Sequence, residues 1–376
     1  MTSASRRLTN FLGVERNVAA ASGAVFLIGL GEELWKKFLP KYLELLGASA
    51  TGIGLFGTAE DFFDALYQCP GGWMADHSGR RRAFLTLLAA ASTGYLIYLF
   101  SPSWPFLFLG LAFTMAWQSM ASPAIFATIG DALPKERRAM GFTVQSMLKR
   151  IPMVISPLVG GAMIGAFGLR IGIKAGLAIT LVLAGIAVPL LFLINLRTAP
   201  KDSIKLRGVW NAFHPTLKRL LMSDIAIRTC EGMSDIFTVL YVTNVTGTTI
   251  PLYGVLVAVQ LATAILVYIP SAKIADRLGR KPFVIATFVC FALFPVTVAL
   301  ANSFAWLVGA FVIGGQTRAR TVGLYYLVRS LSITPASAIG GLLWRIRPQI
   351  PFFAAGLIGI VGTLLFAATV EERNAG

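Results

Sequence analysis

The sequence predicts an all-α polytopic membrane protein of two pseudo-symmetric six-helix bundles, about 12 transmembrane helices in all. Three observations carry that expectation. Of 376 residues, 56% are hydrophobic and only 13% are charged, whereas soluble domains carry roughly a quarter charged residues. The charges gather in short clusters between apolar runs as long as the ~20 helical residues that cross a hydrocarbon core. Landmarks of the first half of the chain also recur in the second, at an offset of 199 or 200 residues.

In chain order, the first six predicted spans are Val18–Pro40, Thr51–Pro70, Phe84–Phe100, Trp104–Ile129, Met140–Phe167 and Gly172–Ile194. The next three are Asp224–Val245, Leu252–Ile274 and Phe283–Ala301. A run from Phe304, a run ending near Leu343 and Pro351–Val370 complete the set. Turn chemistry at Ser101-Pro102-Ser103, Asp131-Ala132-Leu133-Pro134 and Ala301-Asn302-Ser303 marks several boundaries. Pro152, Pro157, Pro189 and Pro295 fall inside apolar runs, which membrane helices tolerate because neighbouring groups satisfy the freed carbonyls. The first run follows Arg6, Arg7 and Arg16 as a secretory signal would, but it is longer than a signal's apolar region, so the expectation is a retained first helix. The polar, basic stretch 196–222 is expected to be a cytoplasmic linker between an N-terminal bundle, 1–195, and a C-terminal one, 223–376.

The net charge of +16 does not point to nucleic acid. Its cations sit at the ends of apolar segments, where they meet lipid headgroups, and not on one face with interleaved aromatics. Alternate loops hold 22 Lys and Arg on one side and 5 on the other. The cation-rich side is cytoplasmic by the positive-inside rule, so both termini should be cytoplasmic in a cell-membrane protein. Cys69, Cys230 and Cys290 have no metal or disulfide spacing.

The repeat is most specific at Gly72-Trp73-Met74-Ala75-Asp76-His77-Ser78-Gly79-Arg80-Arg81 and Ala272-Lys273-Ile274-Ala275-Asp276-Arg277-Leu278-Gly279-Arg280-Lys281. Glu32, Phe38 and Tyr42 likewise match Glu231, Phe237 and Tyr241. At these residues the chain resembles the major facilitator superfamily. The first decapeptide is similar to that superfamily's signature loop between its second and third helices, with His77 where the family usually has Arg or Lys. The second is similar to the loop's weaker echo. The resemblance implies a secondary transporter working by alternating access. It also implies a cytoplasmic gating role for Gly72, Asp76, Gly79, Arg80 and Arg81, echoed by Asp276, Gly279, Arg280 and Lys281. Charge and headgroup anchoring is the plainer alternative for the arginines. Pro157-Leu158-Val159-Gly160-Gly161 is similar to a Gly-Pro-x-x-Gly-Gly element of proton-coupled exporters, with Ser156 in place of the first Gly. Tight packing through Gly161-x-x-x-Gly165 is an equal reading.

Ionisable groups inside spans are costly and mark functional paths. Here they are Glu32, Glu33, Glu60, Asp61, Asp64, Glu231 and Asp235, with Lys36, Lys37, Lys149, Arg150, Arg228 and Arg329. Glu32/Lys36 and Glu33/Lys37 are four apart and should share a helix face. Glu60/Asp64 and Glu231/Asp235 pair like charges, so one member of each is expected to hold a proton unless a cation settles it permanently. Trp35, Trp117, Gln118, Gln145, Gln260, Tyr325 and Tyr326 are candidates for a mixed aromatic and amide cavity. With no zinc, haem, phosphate-loop or nucleophile constellation, the expectation is no cofactor, no metal and no enzymatic activity. The expected partners are a small-molecule substrate, protons and membrane lipid, with the chain a monomer. A proton-coupled secondary transporter of small organic molecules leads, drug or metabolite efflux being one form of it; uptake of an organic anion or nutrient and a non-transporting scaffold or receptor are the alternatives. Between matched landmarks the second half is 20 residues short, 64 from Asp276 to Gly340 against 84 from Asp76 to Gly160. That predicts a truncated tenth helix at Phe304–Gly315.

Overall fold

The computed structural model describes residues 15–77, 79–194, 215–278, 280–315 and 330–369, and every regular element among them is helical. In chain order these are α1 (Arg16–Glu32), a 3-10 turn (Lys36–Phe38), α2 (Leu39–Leu45), α3 (Ala50–His77), α4 (Arg80–Phe100), α5 (Pro105–Ala132), α6 (Lys135–Phe167) and α7 (Leu169–Phe192). After them come α8 (Pro215–Leu240), a π-helical turn (Tyr241–Val245), α9 (Ile250–Leu278), α10 (Arg280–Ala299), α11 (Phe304–Gly315), α12 (Ala336–Trp344) and α13 (Ile350–Thr369). Seven stretches among the described residues are long and apolar enough to cross a membrane: Arg16–Leu45, Arg80–Phe100, Val144–Phe167, Leu169–Phe192, Ile250–Val267, Lys281–Ala299 and Ile350–Thr369.

Contacts divide the chain into two compact units, Met1–Lys37 with Phe63–Ser203, and Phe38–Phe62 with Ile204–Gly376. The division differs from a cut at a central linker, because α2 and the first half of α3 belong with the later helices. Their backbone explains why. Gly54 lies so close to the Ser337 carbonyl and to Gly341 that a Cβ would stand 2.5 and 3.1 Å from them. The Thr58 hydroxyl accepts the Ala338 amide at 3.0 Å.

In the first of these units, α1 lies against α7 through Gly31, where a Cβ would stand 2.7 Å from Thr180 Cα. Trp35 donates its indole N–H to Thr180 Oγ1 at 3.0 Å and meets Tyr95 and Tyr98 edge-on at 6.0 and 5.6 Å. Gly79 and Gly168, both at φ 81, turn the chain between α3 and α4 and between α6 and α7, a conformation open to glycine at no steric cost. In the second, Cys230, Met233, Ala336 and Ala355 form one core cluster, and Ile227, Phe288, Phe291 and Phe366 another.

The first span is not one helix. α1 stops at Glu32, and Leu34 and Trp35 bond back three residues to Gly31 and Glu32 at 3.2 and 3.3 Å. Pro40 has no N–H and its ring would strike the Lys36 carbonyl in a continued helix; Gly29 and Gly31 weaken the turn before it. The repeat-equivalent positions are Arg228, Cys230 and Val239, and α8 runs unbroken past Glu231 to Leu240. The expected i,i+4 faces of Glu32/Lys36 and Glu33/Lys37 therefore do not form as regular helical pairs. Among the described residues α8 is helical from Pro215, so Pro215–Met222 are helix. Among the described residues α11 covers Phe304–Gly315; residues 316–329, on which the expected truncation of the tenth helix turns, lie outside the described ones.

Candidate functional site

A cavity of about 130 Å³ lies in the first unit, lined by Glu32, Glu33, Lys36, Trp117, Gln118 and Lys149 and walled by Val25, Ala121, Pro152 and Met153. Val25, Gly29, Glu32 and Glu33 follow one another at i, i+4, i+7 and i+8, and the Glu33 N–H still bonds the Gly29 carbonyl at 3.1 Å, so one face of the end of α1 presents both acids to the cavity. Glu32 is buried. Its Oε1 accepts the Tyr95 hydroxyl at 2.5 Å and the Gln118 amide N–H at 3.0 Å. The Gln118 carbonyl oxygen in turn accepts Lys36 Nζ at 2.6 Å. One amide thus couples the carboxyl of Glu32 to the ammonium of Lys36. Glu33 differs: its Oε2 is buried with no hydrogen-bond partner among the described residues.

The other expected charges are placed elsewhere. Asp64 accepts the Ser119 hydroxyl at 2.7 Å. Glu231 is held by Arg228 Nη1 at 2.5 Å, with Asp224 3.9 Å from Arg228 Nε and the guanidinium 5.3 Å over the Phe291 ring. Asp235 is exposed, so the expected buried like-charge pair Glu231/Asp235 does not exist. Glu60, Asp61, Lys37 and Arg150 each have a partner and do not line this cavity. Gln145 is buried, and its Oε1 has no hydrogen-bond partner among the described residues. It lies off the cavity wall, as does Gln260, whose carbonyl packs on Gly315. Arg329, Tyr325 and Tyr326 lie outside the described residues.

At the loop after α3, Arg80 is buried, and its Nε and Nη2 donate to Asp131 Oδ2 at 3.2 and 2.8 Å. Arg81 lies 5.8 Å from the centre of the Phe192 ring. α3 gives way to α4 through a turn at Gly79, while α9 is helical to Leu278 and α10 from Arg280. Gly279 lies outside the described residues, as do the side chains at Gly72, Asp76, Asp276 and Arg280.

Residues 21–255, more than half of the chain, match the family described as Major Facilitator Superfamily. The chain belongs to the Major Facilitator Superfamily. It is a multi-pass membrane transporter by family and by its seven apolar stretches. An uncharacterized MFS-type transporter of Methanocaldococcus jannaschii is 21% identical over 380 residues, 94% of each chain. The multidrug resistance protein MdtG of Rahnella sp. is 24% identical over 303 residues, 77% of this chain and 72% of that one. The crystal structure of the nucleoside transporter NupG superposes with a TM-score of 0.75 at 11% identity, over 94% of this chain and 100% of that one; at that identity the likeness shows the fold.

Glu32, Glu33 and Lys149, singled out as charges inside spans, and Trp117 and Gln118, singled out separately as cavity candidates, all line this one cavity. Sequence reasoning missed Tyr95, which reads as one more aromatic in an apolar run, and Asp131, which reads as part of a turn. The available signal for Asp131 was its position: an acid at a span end on the same side as the Arg80 cluster. We expect Asp131→Leu to cost about 2–3 kcal/mol, the lower end for breaking a buried pair because Asp131 is partly exposed. The double variant Arg80→Met/Asp131→Leu should recover most of it. Melting temperatures in detergent check this, and a single variant as stable as the parent would show that solvent carries the Arg80 charge.

Proposed function

We propose that this superfamily member is a proton-coupled exporter of small organic molecules, embedded in the cell membrane with both termini and residues 196–222 cytoplasmic. The observation that carries the reading is Glu32, a buried carboxyl beside a cavity, held by two neutral groups and not locked to a cation. A proton arriving there removes its charge and weakens the bonds it accepts from Tyr95 and Gln118, since charge-assisted hydrogen bonds are roughly twice as strong as neutral ones. Gln118 then holds Lys36 differently, so the protonation state of one acid reaches the cavity's cation through a single amide. Glu231, its repeat partner, is closed to this role by Arg228. The multidrug resistance name of the Rahnella relative supports the export direction. The loop centred on Asp76 and Arg80 gates the cycle, with Arg80–Asp131 as the ion pair that holds it.

The test is reconstitution into liposomes with an imposed pH gradient, screened over a panel of labelled small molecules. Ser203→Cys accessibility reports orientation in intact cells. Accumulation against a gradient only when protons flow the opposite way is expected, with Ser203→Cys labelled only from the cytoplasm. Transport indifferent to the pH gradient removes the coupling, and labelling from outside removes the topology.

A further inference from the structure

We propose that the cavity seats a small organic ammonium ion, a primary or secondary amine on a compact apolar or aromatic body, with its N–H groups on Glu33. The inference deepens the transporter reading and rests on it. Among the cavity's acids, Glu32 Oε1 already accepts two hydrogen bonds, and Lys36 already donates to Gln118. Glu33 Oε2 accepts none, although buried. An ionised carboxylate can only accept, and a buried acceptor left without a donor is costly, more so when charged. A guest that brings both N–H donors and positive charge removes that cost and an alcohol removes part of it; an anion, whatever it gains from Lys36 and Lys149 on the same wall, leaves Glu33 Oε2 without a donor.

Two further features favour a cation. Gly29 and Glu32 on the wall belong to the last turn of α1, and the C-terminal end of a helix carries partial negative charge. Trp117 is buried and also lines the wall, and an indole face attracts ammonium groups. Size sets the body of the guest. At about 130 Å³, the cavity falls below the ~300 Å³ at which pockets for drug-sized ligands begin. Val25, Ala121, Pro152 and Met153 offer that body apolar contact.

Phenethylamine, phenethyl alcohol and 3-phenylpropanoate share one aromatic body and differ in charge. Titration calorimetry on the purified full chain in detergent at neutral pH should find phenethylamine bound at least about tenfold more tightly than the other two, the ratio for one buried bond of ~1.4 kcal/mol. Glu33→Gln should remove that preference and Glu33→Asp should keep part of it. Phenethyl alcohol binding as well as the amine, or amine affinity unchanged in a folded Glu33→Gln, overturns the proposal. If Glu33→Gln does not fold, Trp117→Leu against Trp117→Phe decides: equal amine affinity in both overturns it, and loss in Leu alone supports it. In liposomes, pH-driven transport of other panel compounds by a protein that ignores the amine defeats this inference and leaves the transporter reading intact. Amine binding with no driven transport of any compound defeats proton coupling and leaves the site.

Discussion

Glu32→Gln is expected to cut pH-driven accumulation by roughly a hundredfold, the low end of what a positioned proton-transfer group contributes, while substrate exchange without a gradient continues. Gln keeps the size of the side chain and an oxygen that can accept from Tyr95 and Gln118, so the cavity should survive. Only the ability to gain and lose a proton is gone. Glu231→Gln gives the contrast. It leaves Arg228 with Asp224 at 3.9 Å and should lower stability more than coupling, because the charge it removes is already matched. Counterflow and gradient-driven uptake, measured side by side on both variants, separate the cases. Accumulation at the parental rate in Glu32→Gln would sink the assignment of Glu32 as the proton carrier.

The second large effect belongs to Gly160. A Cβ there would collide with the carbonyl oxygen of Leu34, which the broken first span holds on the path of α6. Both partners are backbone, so neither can swing away. Gly160→Ala should therefore cost about 3 kcal/mol or more, at the upper end for overpacking, and Gly160→Leu should not yield folded protein. Gly185→Ala is the control, since nothing lies within 4 Å of the added atom. Melting temperatures in detergent read the difference, and a Gly160→Ala protein that melts with the parent would show that α6 slides freely along the first span. The element Pro157–Gly161 thus owes at least Gly160 to close backbone approach.

Where the sequence was legible, a period or a repeat made it so. Apolar runs of membrane length gave the helices, and two copies of one loop gave the family and the turn at Gly79 between α3 and α4. What was hidden depended on backbone geometry that residue spacing cannot express. Four-residue spacing placed Lys36 on the face of Glu32 only if the helix continued, and Pro40, eight residues on, ends it. The same spacing read Glu231 and Asp235 as a buried pair, whereas Arg228, three residues earlier on an unbroken helix, takes Glu231 and leaves Asp235 exposed. Tyr95 was invisible because a tyrosine among apolar residues gives no sign of which carboxyl its hydroxyl will find.

The unequal treatment of Glu32 and Glu231 has a consequence for how such a gene can change. Duplication supplied an acid at the same place in both halves, but one copy sits on a helix broken by Gly29, Gly31 and Pro40, and the other beside an arginine one turn away. A drift from Arg228 to a neutral residue would release the second acid and give the chain two sites able to carry a proton. A single base change at Pro40 that let the first helix run on would begin to close the first. On the proposed coupling through Glu32, stoichiometry, the number of protons moved per cycle, would be stored in three backbone-shaping residues and one guanidinium, none of which is itself an acid.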